Sequence, residues 1–363
     1  MATTAAPSYD DRLGQALELA RGGRAAEMHR DLNGALARYE EARALLVDGE
    51  ATPLFANLLR WSGSVLRDLG EIDRADRLYA DSFEVADRTG QVAAKASALN
   101  CRAVIAQRRG DLEEATALYR RAARLAMEAG EIRLAGMIEQ NLGVLANIRG
   151  DLDGALVRYR AALRAFEEVN DDEAVSWVLN NMGMLLTDLG LPMRAEKSFV
   201  QGLAIARTRR DRPMEGVLQA NYGECLIAME RWADAATELD AALRIARHGE
   251  DRAREGEALK LLGVLEREQG RLTEACLRLE AALDIGREVE DPLLVAEVQR
   301  ELGELRRRQG RFNEAIREWD AAREGFVALH ATLDANRVTA RQEALLTQVN
   351  GRRPTAANGE AES

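Results

Sequence analysis

Residues able to do chemistry are few and far apart in this 363-residue chain. The three histidines, His29, His248 and His330, lie in distant segments, so no two of them share a helical turn that could grip a metal ion. The three cysteines, Cys101, Cys225 and Cys276, are equally sparse, an odd set that suits reduced thiols better than a disulfide framework. No GxxxxGK[ST] phosphate loop, GxSxG nucleophile turn or HExxH zinc helix occurs. Carboxylates are abundant, but a chain this charged brings many of them together by chance, and no pair stands out as an acid–base dyad. The sequence predicts no catalytic residue, no metal site and no cofactor.

Amides at a fixed interval are a different matter. Asn141, Asn181 and Asn221 follow one another at a constant offset, and Asn100, Gln140 and Asn180 repeat the pattern one position earlier. A carboxamide both donates and accepts, so a row of them can hold the backbone of an extended peptide whatever its sequence. The other use of such a row is to bond neighbouring helices or water and fix their stacking. Met137, Val144, Asn147, Trp177, Met184, Val217 and Glu224 complete the candidate groove. Trp177 shares its slot with Asn57, Ser97, Met137, Val217, Glu257 and Glu297, a mixture that marks an exposed position and makes the indole a candidate anchor. Further along, the same face turns charged, with Lys260, Arg267, Glu268, Arg300, Glu301, Glu304, Arg307 and Arg308. This reads as a solvated face laced with i,i+4 ion pairs, an electrostatic docking site being the alternative.

What positions these side chains is a repeat. Alanine recurs at the same constant offset as Ala35, Ala75, Ala115, Ala155, Ala195, Ala235, Ala275 and Ala315. Four positions later comes a large side chain (Tyr39, Tyr79, Tyr119, Tyr159, Phe199, Leu239, Leu279, Trp319), and three beyond it a small one. Those spacings keep all three on one helical face. A preceding helix carries an interior glycine at Gly63, Gly143, Gly183, Gly223, Gly263 and Gly303, with Ala103 in the missing slot, which points to close helix–helix approach. Seven positions on, Gly70, Gly110, Gly150, Gly190, Gly270 and Gly310 end that helix, Glu230 being the exception. The slot of Val65, Ile105, Leu145, Leu185, Cys225, Leu265 and Leu305 is apolar throughout, which places Cys225 in the core. Asp171, Asp211, Asp251 and Asp291 are expected N-caps, and Pro292 suits a first helical turn. Gly22–Gly23 weakens the first helix, so the first unit reads as a degenerate cap. Repeats are expected near 16–55, 56–95, 96–135, 136–175, 176–215, 216–255, 256–295 and 296–335, forming a single array over 10–350 with a capping helix at 333–349. Residues 1–9 and 351–363 are expected to be disordered.

The succession Leu142–Gly143, Ala155, Tyr159, Ala162 resembles the tetratricopeptide repeat, and the likeness extends over about Gln15 to Ala335. The chain departs from the 34-residue form in its 40-residue period and in lacking the proline that usually ends each repeat. Its longer form is similar to the repeats of kinesin light chains and of bacterial peptide-sensing regulators. The resemblance implies an all-α, right-handed α-solenoid of about eight repeats, with first helices lining a concave face on which asparagines hold a ligand's backbone. It implies a non-enzymatic binding scaffold for a peptide or helix of a partner protein. The alternative it leaves is a sensor that binds a small peptide and controls a separate regulatory component. The chaperone-tail clamp needs Lys and Arg where this chain has Met137, Trp177 and Val217, so that function is not expected.

Composition narrows the partners. A net charge of −11 argues against binding nucleic acid by neutralising phosphates. Aromatics at 4% favour close-packed helices over sheets. No apolar run approaches the roughly 18 residues of a membrane span, and no secretory signal is visible, so a cytoplasmic location is expected. Self-association through the end caps is compatible with the sequence.

Overall fold

A left-handed residue at the end of nearly every helix sets the architecture. The computed structural model describes residues 8–46, 53–329 and 331–350. Among these, all regular structure is helical and falls into two compact units divided after Asp171. The first holds α1 (Tyr9–Met28), α2 (Leu32–Leu45), α3 (Pro53–Asp68), α4 (Ile72–Arg88), α5 (Val92–Arg108), α6 (Leu112–Glu128), α7 (Ile132–Ile148) and α8 (Leu152–Glu168). The second holds α9 (Asp172–Asp188), α10 (Pro192–Arg209), α11 (Arg212–Ala228), α12 (Trp232–His248), α13 (Arg252–Glu268), α14 (Leu272–Glu288), α15 (Pro292–Arg308), α16 (Phe312–Ala328) and α17 (Thr332–Asn350). Within each unit, consecutive helices pack as antiparallel pairs, and first helices of successive pairs also touch. This is an all-α, solenoid-like array of tetratricopeptide type. No helix of the described residues is long and apolar enough to cross a membrane.

The period follows from the helix ends. Helices α5 to α9 are all of one length, and short turns such as Arg109–Gly110–Asp111 join each to the next, so every pair advances the chain by the same amount. In the turn after α7, Gly150 N–H donates to Asn147 O at 2.9 Å and Asp151 N–H to Ala146 O at 2.9 Å, the bond pattern of a Schellman cap. Gly150 sits at φ 77°, and glycines 70, 90, 110, 130, 190, 270 and 310 take the same left-handed conformation. The conformation survives where the glycine is missing: Arg30, Asn170, Arg210, Glu230, Glu250 and Glu290 all have φ between 53° and 58°. Glu230 is therefore one of several side-chain-bearing residues held there, each at a steric cost that glycine avoids.

The second constraint is the seat between the two helices of a pair. Except in the α5–α6 pair, where Ala103 holds the slot, the large side chain of the second helix lies on the interior glycine of the first. A Cβ on Gly143 would come 2.6 Å from the Tyr159 ring, one on Gly183 2.5 Å from Phe199, and one on Gly303 2.4 Å from Trp319. Gly23 belongs to the same set, since a Cβ there would approach Tyr39 to 2.3 Å. The first pair thus carries the same seat as the others, with Gly23 in the glycine slot. Tyr39, Tyr79, Tyr119, Phe199, Leu239, Leu279 and Trp319 are essentially fully buried. Several still satisfy their polar tip: Tyr119 Oη donates to Gln107 Oε1 at 3.1 Å and Trp319 Nε1 to Arg300 O at 3.1 Å.

The caps fall largely where expected. Asp211, Asp251 and Asp291 accept backbone N–H groups at 3.0 Å, and Pro292 opens α15. Ser8 and Tyr9, placed in the expected disordered N-terminus, instead begin α1: Ser8 forms a capping box with Asp11 and Tyr9 is the first helical residue. Residues 1–7 and 351–363, the rest of the expected disorder, lie outside the described residues, as do Val47 and His330. After the last pair, Ala335, Val338 and Leu345 of α17 close the apolar core over Trp319 and Phe326.

Two kinds of substitution test these constraints by urea denaturation. Replacing Glu230, Glu250 or Glu290 by Gly should raise stability by up to about 1 kcal/mol each, by relieving the left-handed Cβ. Gly143→Ala should lower it by about 1–3 kcal/mol through overpacking against Tyr159, although alanine is the better helix former by about 1 kcal/mol.

Candidate functional site

The amides expected as a ladder are bonded to one another across repeats. In the first unit, Asn141 Nδ2 of α7 donates to Asn100 Oδ1 of α5 at 3.1 Å. In the second, Asn221 Nδ2 of α11 donates to Asn180 Oδ1 of α9 at 2.8 Å. The rungs join residues 41 apart, so the two amide slots identified in the sequence are the two ends of one bond. Asn100 and Asn180 are buried and tie neighbouring repeats together, the stacking use of the amide row. Asn141, Asn181 and Asn221 are half-buried, as are Met137, Gln140, Val144 and Asn147. Each rung leaves the Oδ1 of Asn141 or Asn221 outside the bond. Met184, 43% exposed, takes N–H contacts on its sulfur from Asn180 at 3.5 Å and Asn221 at 3.4 Å.

Trp177 lies a turn N-terminal of the Asn180–Asn221 rung and is 38% exposed. It borders a cavity of about 860 Å³ whose walls come from α9, α11, α12 and the start of α13. Of the expected site residues of the second unit, Trp177 and Val217 line this cavity; Asn180, Asn181, Met184, Asn221 and Glu224 do not. Val217 is buried and contributes wall, not surface. Asn100, Met137, Gln140, Asn141, Val144 and Asn147 belong to the first unit. Sequence reasoning passes over Met214, Gln219 and Ile245, which also line the cavity. For Gln219 the signal is weak: its slot holds Leu59, Leu99, Leu179 and Leu259 but also Glu139 and Gln299 in other pairs.

The charged stretch is not the solvated face that its sequence suggests. Its ion pairs run between helices: Lys260 of α13 meets Glu297 of α15, Arg267 meets Glu301 at 2.6 Å, and Arg308 meets Glu268 at 2.6 Å. Arg300 adds a contact of 2.8 Å to Glu301. Arg267 and Glu301 are only 6% and 7% exposed. Bonds one turn apart, such as Arg307–Glu304 at 2.6 Å, are the minor part. The physical reason is the stacking of repeats, which sets residues of successive first helices nearer to one another than to helical neighbours on this face. Burial alone would push the Glu301 carboxyl up, but the guanidiniums of Arg300 and Arg267 outweigh it and hold it at about 2.

Nearby, Glu224 is exposed, yet protein on several sides thins the water around its carboxyl and pushes it above its usual range. Lys260 opposes that shift, while Glu297 and Asp188 add to it. Cys225 is fully buried with its Sγ 3.5 Å from Pro192 O, and burial pushes the thiol up, away from reactive thiolate character.

The depressed Glu301 carboxyl makes a pH prediction. Its folded value lies below the unfolded one, so its contribution is present above about pH 4.5 and is lost as pH falls towards about 2. The loss should reach about 3 kcal/mol at most. Glu301→Gln should flatten the fall in the second unit's urea midpoint between those limits; an unchanged slope would show that the network does not couple to folding.

Comparison with known proteins matches tetratricopeptide-repeat family models to residues 96–126 and 215–288. No curated protein sequence matches. Among solved structures, the apo form of the quorum sensor NprR from B. thuringiensis shares 14% identity at a TM-score of 0.70, with 89% of each chain covered. The Rap conjugation gene regulator of plasmid pLS20, solved in complex with the Phr* peptide, shares 16% identity at a TM-score of 0.60, over 80% of this chain and 79% of that one. Aspartyl phosphate phosphatase F from Bacillus subtilis shares 12% identity at 0.56, with both chains covered entirely. At such identities the likeness is one of fold. The chain is a tetratricopeptide-repeat protein by these matches at 96–126 and 215–288, and its fold is similar to that of these solved structures.

Proposed function

We propose that this chain is a binding protein that seats a peptide segment of a partner on the first-helix face of its second unit. The observation that carries the reading is the cavity of about 860 Å³ beside a part-exposed Trp177. A large aromatic ring with free surface next to a hollow lined by both apolar and charged side chains is the kind of anchor that hot spots of protein interfaces use. The Asn180–Asn221 rung a turn away leaves a carbonyl oxygen at Asn221 for a ligand's backbone N–H. A sensing use is the second reading, supported by the fold shared with a quorum sensor and with a gene regulator solved with a peptide. In that use the bound peptide controls a separate component. The role is non-catalytic in both readings, and the site residues named here hold a ligand without transforming it.

Peptides selected from a displayed random library against the whole chain test the reading. Trp177→Ala should weaken the selected peptides by about thirtyfold, the loss typical of a buried aromatic anchor. Its melting temperature should stay near that of the parent, because the ring is part-exposed. Affinities that survive Trp177→Ala would remove the groove from consideration.

A further inference from the structure

Along α11 the groove that starts beside Trp177 reaches a carboxylate with no partner. Val217 lines the cavity, Asn221 stands one turn further on with the free Oδ1 of its rung, and Glu224 follows on the same helical face. The Glu224 side chain is exposed, and among the described residues it makes no hydrogen bond or ion pair. Elsewhere its slot holds Val104, Val144, Met184 and Val264, and also Arg24, Ser64 and Glu304. Stacking of the repeats therefore does not call for a carboxylate there. Where Glu304 supplies another, Arg307 takes it up at 2.6 Å.

A carboxylate in open water needs no partner, but Glu224 is not in open water. Helices α9 and α13 both touch α11, and protein on several sides thins the water at this carboxyl and holds it above its usual range. The cations within its field are already committed: Lys260 is held by Glu297, and Arg300 by Glu301 at 2.8 Å. Asp188 and Glu297 add further negative charge. Such a place gains from a positive charge that arrives with its own donors. Val217 and Glu224 are two turns apart on α11, about 10 Å along the helix, and an extended chain covers that in about three residues. We propose that the bound peptide carries a lysine or arginine whose side chain pairs with Glu224, about three residues from the one anchored beside Trp177. The inference rests on the groove reading above and adds the charge that the groove selects. A glutamine in that place offers a donor without the charge, and a glutamate meets the combined field of Glu224, Asp188 and Glu297.

The test uses the full chain and synthetic copies, acetylated and amidated, of the peptides selected from the displayed random library, with affinities measured by calorimetry. The selected peptides should share a lysine or arginine. Replacing it by glutamine should weaken binding about tenfold, the worth of a hydrogen bond to a charged group. In Glu224→Gln the peptide and its glutamine version should bind alike. The variant should keep the parent's melting temperature, since its slot takes valine, methionine and serine in other pairs. Peptides without a basic residue, or a glutamine replacement that costs as much in Glu224→Gln as in the parent, overturn the assignment. Binding lost on acetylation alone moves the cation to the peptide's N-terminus and overturns it too. In each of these cases a loss of affinity in Trp177→Ala leaves the groove in place. If Trp177→Ala leaves the affinities intact, the assignment and the groove reading fall together.

Discussion

All but one of the described pairs in this array depend on a large side chain of the second helix seated on bare backbone of the first. Tyr39, Tyr79, Tyr159, Phe199, Leu239, Leu279 and Trp319 each rest where a Cβ on the facing glycine would come within 2.7 Å. Glycine inside a helix costs about 1 kcal/mol relative to alanine. The position tolerates that cost because the glycine lets a ring or a leucine lie flush on the helix and be buried almost completely. Ala103 fills the slot in α5, so a methyl is accommodated in a pair built around it. The seat fixes the distance between paired helices, and the left-handed cap fixes where each helix ends. Together they bring the first helices of successive pairs into contact with one another, and on that face every other feature of the molecule is built.

This explains which parts of the molecule can be read in the sequence. A steric requirement repeated in each pair leaves the same residue type at the same offset. The constant period, the glycine slot, the caps at Asp211, Asp251 and Asp291 and the core place of Cys225 are therefore all legible. Gly23 is only half legible: its cost to helix propensity shows within one helix, while its role as the seat of Tyr39 shows only across the pair. The charged stretch misleads for a related reason. Periodicity along one helix suggests i,i+4 pairs, whereas Arg267–Glu301 and Arg308–Glu268 are neighbours only after the repeats stack.

The amides show how far spacing alone can go. Asn141 and Asn221 look equivalent to Asn100 and Asn180 among polar slots one position apart. In the fold, one member of each rung gives a proton and stays at the surface while the other accepts and is buried. Spacing identifies the residues, but their division of labour depends on the offset between touching helices. The cavity is less legible still. It forms where Ala241, Ala242 and Ala246 of α12 leave space that α9, α11 and α13 do not fill, and no single helix carries that information.

The first-helix face of the second unit therefore has two regimes. Along α13 and α15 the charged side chains consume one another: Glu301 is shared by Arg267 and Arg300, and Lys260 is held by Glu297. Removing one member would strand a buried charge, at a cost of about 3–5 kcal/mol, so a ligand that competed for these groups would have to break a closed network. Between α9 and α13 the balance is reversed. Trp177 keeps free surface and Asn221 keeps a carbonyl outside its rung. Exposed aromatic surface beside a hollow and a carbonyl one turn away give a ligand something to gain without disturbing the stack. The binding face is thus set by where the repeat's own interactions stop short, and the rigid ion network beside it keeps that opening in register.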